Sequence, residues 1–363
     1  MDKKKYYKKK DATEKADPLV ESNERLIACM QEAKDNNVKY KKGWFVCNEF
    51  PYNMLTGKEY GGKNVINLLS YGFADPRFIP IGEAAKLFKE TNGEVRIKKG
   101  EKACVIFYSE PKTAGTGEFD DNGDEKTKSW MMTKTHYGFN ISQMDGYETL
   151  DTLYPRVSKP PMNDIQESEF VREIAQAMIK DGLTIRENNI GKAYYQPSID
   201  TVSLPDAATF ETQALYNRTK LHEIGHSLGH SSRCNRDQTG GAGTMEYAYE
   251  ELVAEIFSFY MGMKTGTGYD SRTHDNHGAY LNHWLGVMTS DSEDAKKYFL
   301  GAASKASHSY SYAMKKVEEL KESQKTSQEV GQEKAKAVEP IIEKGGFEKP
   351  PVQPKAKPSQ MSM

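Results

Sequence analysis

The sequence predicts an α+β fold in two domains, and three observations carry that expectation. Its 363 residues exceed the ~100–200 of an ordinary domain. Apolar residues come first in short runs bounded by Gly, Pro and Asn, and later in long stretches of helical spacing. Charge divides the same way: residues 1–150 hold 25 Lys/Arg and 23 Asp/Glu, whereas residues 151–321 hold 18 and 23. Within the front half, residues 39–112 carry 13 basic against 8 acidic side chains. A basic module followed by an acidic one suggests two modules with different partners.

Composition narrows the classes further. With 37% hydrophobic residues, 21 Tyr and 14 Phe, the chain can build cores, which excludes wholesale disorder. No apolar run reaches the ~18 residues of a membrane-spanning helix, so no membrane partner is expected. The lysines of the first 17 residues have no apolar stretch behind them and do not form a secretory signal. Cys29, Cys47, Cys104 and Cys234 are far apart, which speaks against a disulfide scaffold and for a reducing cytoplasm.

In chain order, residues 1–17 read as a disordered lysine-rich arm. Leu19, Leu26, Ile27, Met30 and Ala33 recur at helical spacing over 18–37, and Val65–Ser70 and Ile81–Lys89 read as further helices. Gly43–Cys47 and Ala103–Tyr108 read as strands, Thr113–Ser129 as a solvated loop, and Trp130–Ile141 as the return to the core. A first domain thus spans 18–150. Pro155, Pro160 and Pro161 mark a linker over 151–163.

The second domain, 164–321, is predicted mostly helical with a short sheet. Helices are expected over Asp164–Lys180, Thr209–Leu228, Tyr247–Met263, Asp275–Met288 and Ser292–Lys321. A hairpin joins Ala193–Gln196 to Thr201–Leu204. Residues 322–363, rich in Gln, Lys and Pro, read as a disordered tail.

His222-Glu223-Ile224-Gly225-His226 lies inside one predicted helix. Histidines at i and i+4 share a helix face, so both imidazoles can reach one Zn²⁺, or another divalent metal. Glu223 then sits close enough to act as general base on an attacking water. A catalytic site needs a third ligand, and Glu250, Glu251 and Glu255 follow in a helix otherwise apolar at Leu252, Val253, Ile256 and Phe257. Glu251 and Glu255 share a face, so one can bind metal while the other holds a ligand histidine. Glu251 is taken as the ligand and Glu255 as its support, with the reverse as the alternative, and Glu250 is expected to face solvent.

His230 does not fit the metzincin spacing, which would need His where Ser232 stands; it is expected to cap the helix. His274, His277 and His283 read as surface or packing residues. The strand Thr201–Leu204 is expected to form the sheet edge that receives an extended peptide. Tyr247 and Tyr249 are candidate oxyanion donors through their closeness to Glu251 in sequence.

The front domain holds Pro51-Tyr-Asn53-Met-Leu-Thr56-Gly57-Lys-Glu-Tyr60-Gly61-Gly62-Lys63-Asn64, Asp75-Pro76-Arg77-Phe78, Gly93–Lys102 and Phe139-Asn140-Ile-Ser-Gln143. Together with Tyr194–Asp200, His222–His226 and Tyr247–Glu255, these motifs resemble ArdC-type antirestriction proteins over about residues 20–315. The resemblance implies an N-terminal single-stranded-DNA-binding domain, a C-terminal zincin-like metallopeptidase domain, and protection of the DNA of a mobile element or phage from restriction. Phe78 stands where the family usually has Trp.

The residues are compatible with that partner. Single strands need cations for phosphates and aromatic faces for bases. Lys63, Lys98, Lys99 and Lys102 interleave with Tyr52 and Tyr60, and Asn53, Thr56 and Asn64 can hydrogen-bond a backbone or base edge. The same glycines and aromatics also suit turns and core. Two rival functions stay open: a metalloprotease acting on a DNA-associated protein substrate, and a non-enzymatic DNA coat with a structural zinc.

Overall fold

The computed structural model describes residues 17–35, 47, 49–157, 160–188, 190–241, 244–266 and 295–342. Residues 1–16 of the expected arm, most of the expected strand Gly43–Cys47, His274, the helix Asp275–Met288 with His277 and His283, and the last part of the tail lie outside them.

Helix α1 (Pro18–Asp35) is followed by a four-stranded sheet. Its strands are β1 (Tyr52–Asn53), β2 (Arg77–Pro80), β4 (Cys104–Phe119) and β5 (Glu125–Asn140), in the order β1-β2-β5-β4. Only β1 and β2 are parallel. Helices α2 (Asn64–Leu69) and α3 (Ile81–Glu90) fall where the periodicity predicts them. Short strands β3 (Arg96–Ile97) and β6 (Met144–Asp145) pair with each other, and helix α4 (Tyr147–Leu153) occupies the start of the expected linker.

Opposite faces of the sheet feed two apolar clusters. Ile79 and Phe139 pack with Leu87, Ile141 and Leu150, and Phe78 with Cys104, Ile106 and Leu68. Phe78 is therefore core rather than a stacking platform, with Tyr60 edge-on at 6.4 Å. Buried Arg77 holds the layers together by binding Asp75, Asp151 and the Tyr147 hydroxyl.

The largest departure is the stretch Thr113–Ser129, which is a hairpin and not a loop. Strands β4 and β5 pair from Cys104–Gly138 to Phe119–Glu125, around a turn at Asp120–Asp124. Thr, Tyr and Trp suit strands even where neither face is covered, and glycine and acidic residues hide that preference from an apolar-periodicity test. Trp130 consequently lies on the exposed ribbon, not in the core.

In the second domain, α5 (Asp164–Lys180) begins at an Asn163–Gln166 capping box. A three-stranded sheet follows, with β7 (Thr184–Asn188), β8 (Tyr194–Gln196) and β9 (Thr201–Pro205) in the order β7-β9-β8. The parallel β7 was not expected, and it makes β9 the fully buried central strand. The edges are therefore β7 and β8. Helices α6 (Gln213–Ser227) and α7 (Met245–Thr265) come next, and the last helix, α8, runs Ala295–Ile342.

The tail expected from residue 322 is thus helical as far as Ile342. Glu, Gln, Lys and Ala supply helix propensity there without an apolar stripe. Val317–Met363 forms a unit of its own. Within the other unit, Met1–Lys316, the front domain meets the helices of the second. Phe50 lies 5.8 and 5.3 Å from the rings of Tyr260 and Tyr310, and the Gly62 N–H donates to Ser307 Oγ at 2.8 Å. No helix among the described residues is long and apolar enough to cross a membrane.

Asn64 has a structural role that its sequence context did not reveal. Its side-chain amide donates to the Phe107 carbonyl at 2.6 Å and accepts the Phe107 N–H at 2.7 Å, closing the base of the β4 edge. Both polar ends are engaged and buried within the fold. Asn64→Leu should leave both Phe107 groups unpaired and destabilise the chain by about 2–4 kcal/mol. Chemical denaturation checks this; a loss below about 0.5 kcal/mol would contradict it.

Candidate metal centre

The motif occupies the last two turns of α6, a helix that Thr212 starts by accepting the Leu215 N–H. Thr244 starts α7 in the same way through Tyr247. The two helices approach closely because residue 225 is glycine. A Cβ there would stand 3.0 Å from a Phe257 ring carbon and 3.2 Å from Ala254 Cα.

That approach brings three side chains to one point. Atoms of His222, His226 and Glu251 lie within 4.8 Å of one another and can hold a metal ion. The two Nε2 atoms are 3.2 Å apart, and the Glu251 carboxylate lies 3.4 Å from one and 3.5 Å from the other. Each imidazole turns its other nitrogen to a separate carboxylate: His222 Nδ1 lies 3.4 Å from Glu255, and His226 Nδ1 3.4 Å from Glu250. A carboxylate on Nδ1 fixes the tautomer that leaves Nε2 free to ligate.

Glu250 therefore does not face solvent. It is buried, and Arg236 grips both of its oxygens. Arg236 also donates to the Gly225 carbonyl and to Ser309 Oγ, each at 2.7 Å. Gln238 adds hydrogen bonds to the His226 carbonyl and to Glu250, at 2.8 and 3.0 Å. Sequence inspection missed Arg236 and Gln238, since an irregular loop has no periodicity to expose them. The missed signal for Glu250 was available: three carboxylates in one apolar helix all need partners.

Electrostatics follow from burial and pairing. Burial opposes charge on His222, but Glu251 and Glu255 overcome it and leave the imidazole well above its ordinary pKa. Burial also opposes charge on His226, where Glu250 and Glu251 win and the pKa reaches about 9. Burial works against Glu251 too, yet the two histidines hold it well below the usual carboxylate range. Glu223 is raised, chiefly by burial, although a backbone hydrogen bond from Tyr195 opposes the rise.

These groups line a cavity of about 830 Å³. Tyr194, Tyr195, Phe210 and Tyr247 form its walls, beside Lys192 and Glu223. The edge strand β8 thus borders the site. Tyr249 instead packs against Tyr298, at 4.6 Å. His230 follows the helix end, bonded to Ser232, away from the cluster.

The other residues singled out from the sequence are spread over the front domain. Asn53 and Thr56 accept the Leu55 and Lys58 N–H groups and shape a turn. Tyr60 is largely buried beside that turn, and Lys63 lies 4.9 Å over the Phe107 ring. Lys98, Lys99 and Lys102 are exposed, with Lys98 donating to the Ser142 carbonyl.

An HExxH helix, a following Glu helix and a short sheet at the motif define a zincin-like domain, and residues 171–305 match the zincin-like metallopeptidase family. Residues 19–139 match the N-terminal domain of anti-restriction factor ArdC. The chain therefore joins an N-terminal domain of the ArdC anti-restriction type to a zincin-like metallopeptidase domain. It is similar to the crystal structure of antirestriction protein ArdC from plasmid R388 in its metal-free form: 25% identity, TM-score 0.59, 83% of this chain and 98% of that one. The Mn(II)-bound form of the same protein is similar at 24% identity with the same coverage and TM-score.

Among curated proteins, it is 32% identical over 296 residues to DNA primase TraC of Escherichia coli, covering 77% of this chain and 25% of that one. It is 28% identical to the uncharacterized protein y4eC of Sinorhizobium fredii (strain NBRC 101917 / NGR234), covering 70% and 78%. The chain spans about a quarter of the TraC relative's length.

The raised histidine pKa values set a pH dependence. Protonated His226 stabilises the metal-free fold fully below about pH 6.5, and that stabilisation is lost as pH rises towards about 9. Metal-free protein should therefore melt at a lower temperature at pH 9 than at pH 6.5. Saturating divalent metal should abolish or reverse the trend, because a ligating imidazole carries no competing proton. A metal-free melting temperature that is flat or rising over this window would contradict the assignment.

Proposed function

We propose that the chain binds single-stranded DNA through its N-terminal domain and carries a zinc-dependent peptidase centre in its zincin-like domain. Its service would be to shield the DNA of a mobile element or phage from restriction inside the cytoplasm. One observation supports the peptidase part above all others: two Nε2 atoms and the Glu251 carboxylate converge beneath a cavity, with Glu223 at the same surface.

His222, His226 and Glu251 would hold the ion, and Glu255 and Glu250 would orient the imidazoles. Two nitrogens and one oxygen suit Zn²⁺, and Mn²⁺ is an alternative by analogy with the R388 protein. When bound, the ion supplies a Lewis acid for a carbonyl and lowers the pKa of its water. Glu223 would accept the proton of the attacking water and return it to the leaving amine. Burial raises its pKa towards the value such a shuttle needs.

The substrate strand would align on β8, whose outer edge is free of sheet pairing. Tyr247 lines the cavity and is the better candidate for the oxyanion donor; Tyr249 is held elsewhere. The open cavity favours a peptidase acting on a protein substrate over a purely structural zinc, which would need four protein ligands.

His222→Ala should lose the metal by elemental analysis of purified protein, with the wild type holding about one ion per chain. Glu223→Gln should retain metal and single-strand affinity while losing peptide cleavage by 10²-fold or more. A DNA coat needs no turnover, so Glu223→Gln should still protect single-stranded DNA from restriction cleavage in vitro and in transfer into a restricting host. Loss of protection with metal and DNA binding intact would make proteolysis the main role.

A further inference from the structure

Beyond its base, the β4–β5 ribbon is covered on neither face. Tyr108, Trp130, Met131 and Tyr137 are exposed by 55, 46, 61 and 45%. A two-stranded ribbon standing in water gains nothing from such side chains, and exposed apolar surface of this kind marks an interaction site.

The register sorts them. Directly opposed residues share a face, and successive residues alternate. One face of the stem carries the opposed pairs Tyr108–Lys134, Glu110–Met132, Lys112–Trp130 and Ala114–Lys128. The other carries Ser109–Thr133, Pro111–Met131, Thr113–Ser129 and Gly115–Thr127. Contacts agree with this division: Glu110 pairs with Lys112 and Lys134, at 2.9 and 2.6 Å, and Ser109 and Thr113 meet Thr133 and Ser129.

Every charged side chain of these eight pairs is therefore on one face, beside Tyr108 and Trp130. Three lysines against one glutamate leave that face positive, and each aromatic ring stands directly across from a lysine. Cations interleaved with aromatic faces are what a single strand requires. The opposite face offers hydroxyls with Pro111 and Met131, and the one cation that reaches it among the described contacts is Lys63, which donates to Thr133 near its base. The hairpin tip is different again, with Glu118, Asp120, Asp121, Asp124 and Glu125 near Lys126, so phosphates would be repelled there.

Resting on the proposed single-strand binding by the N-terminal domain, we infer that the Tyr108/Lys112/Lys128/Trp130/Lys134 face of the ribbon is a stacking platform for single-stranded DNA. Tyr108 and Trp130 stack bases, the lysines neutralise phosphates, and the acidic tip ends the track. The two aromatic positions are four residues apart along β5, since Tyr108 opposes Lys134. That separation is about 14 Å at ~3.4 Å per residue, room for unstacked nucleotides between them. Glu110 restrains two of the lysines and opposes phosphate.

The test uses the full chain and a fluorescent oligothymidylate in anisotropy titrations over a range of salt. The double variant Tyr108→Ala/Trp130→Ala should weaken binding at least tenfold. Lys112→Ala/Lys128→Ala/Lys134→Ala should flatten the slope of log affinity against log salt by about 2, at ~0.7 per phosphate contact. Glu110→Gln should tighten binding. Thr113→Ala/Met131→Ala on the opposite face should change it less than twofold. All these positions are exposed or half-exposed, and an unchanged melting temperature verifies the fold of each variant.

Wild-type binding that the aromatic and lysine variants leave intact would overturn the platform and point to a protein as the ribbon's partner, while single-strand binding itself would stand. No binding by the wild type would overturn both.

Discussion

Four glutamates, Glu223, Glu250, Glu251 and Glu255, are buried where α6 meets α7. Carboxylates withdrawn from water need cations or donors close by, and the rest of the second domain is arranged to meet that need. Arg236, itself buried, answers Glu250 with a two-pronged contact. Two imidazoles stand among the other three, and the surrounding carboxylates favour their protonated form against burial. A divalent ion at the same point would replace those protons. Gly225 permits the close helix approach, because a Cβ there would press on Phe257 and on the Ala254 backbone.

The surroundings extend this constraint outward. Arg236 reaches Ser309 on α8, and the same helix offers Ser307 to the backbone of Gly62 in the front domain. Asp200 and Asp181 clamp Arg233, which joins the sheet to the loop carrying Arg236. The metal centre and the glycine-rich turn of the N-terminal domain therefore lean on one helix. The cavity belongs to the second domain and the exposed ribbon to the first.

Much of the centre was legible in the sequence because helical spacing is a strong rule. Residues four apart share a face, which places His222 with His226 and Glu251 with Glu255. Elements with a regular apolar stripe, such as α5 and α7, were legible for the same reason. Tertiary pairing was not. Nothing in Thr184–Asn188 says that it lies parallel to β9, and that one strand turns β9 from edge to centre and leaves β8 as the edge strand that borders the cavity. The Thr113–Ser129 hairpin escaped notice because neither face is buried, so no alternation is imposed. Asn64 escaped for a chemical reason: an amide able to bind a base edge is equally able to close a strand edge, and only burial distinguishes the two.

The central claim is that one divalent ion is held by His222, His226 and Glu251, with Glu255 and Glu250 outside the coordination shell. Anomalous diffraction at the zinc edge from zinc-loaded crystals tests it most directly. The account predicts a single peak about 2.0–2.2 Å from both Nε2 atoms and a Glu251 oxygen, with Glu255 still on His222 Nδ1. A peak coordinated by Glu255 or Glu250 in place of Glu251, or no peak between α6 and α7, would contradict it.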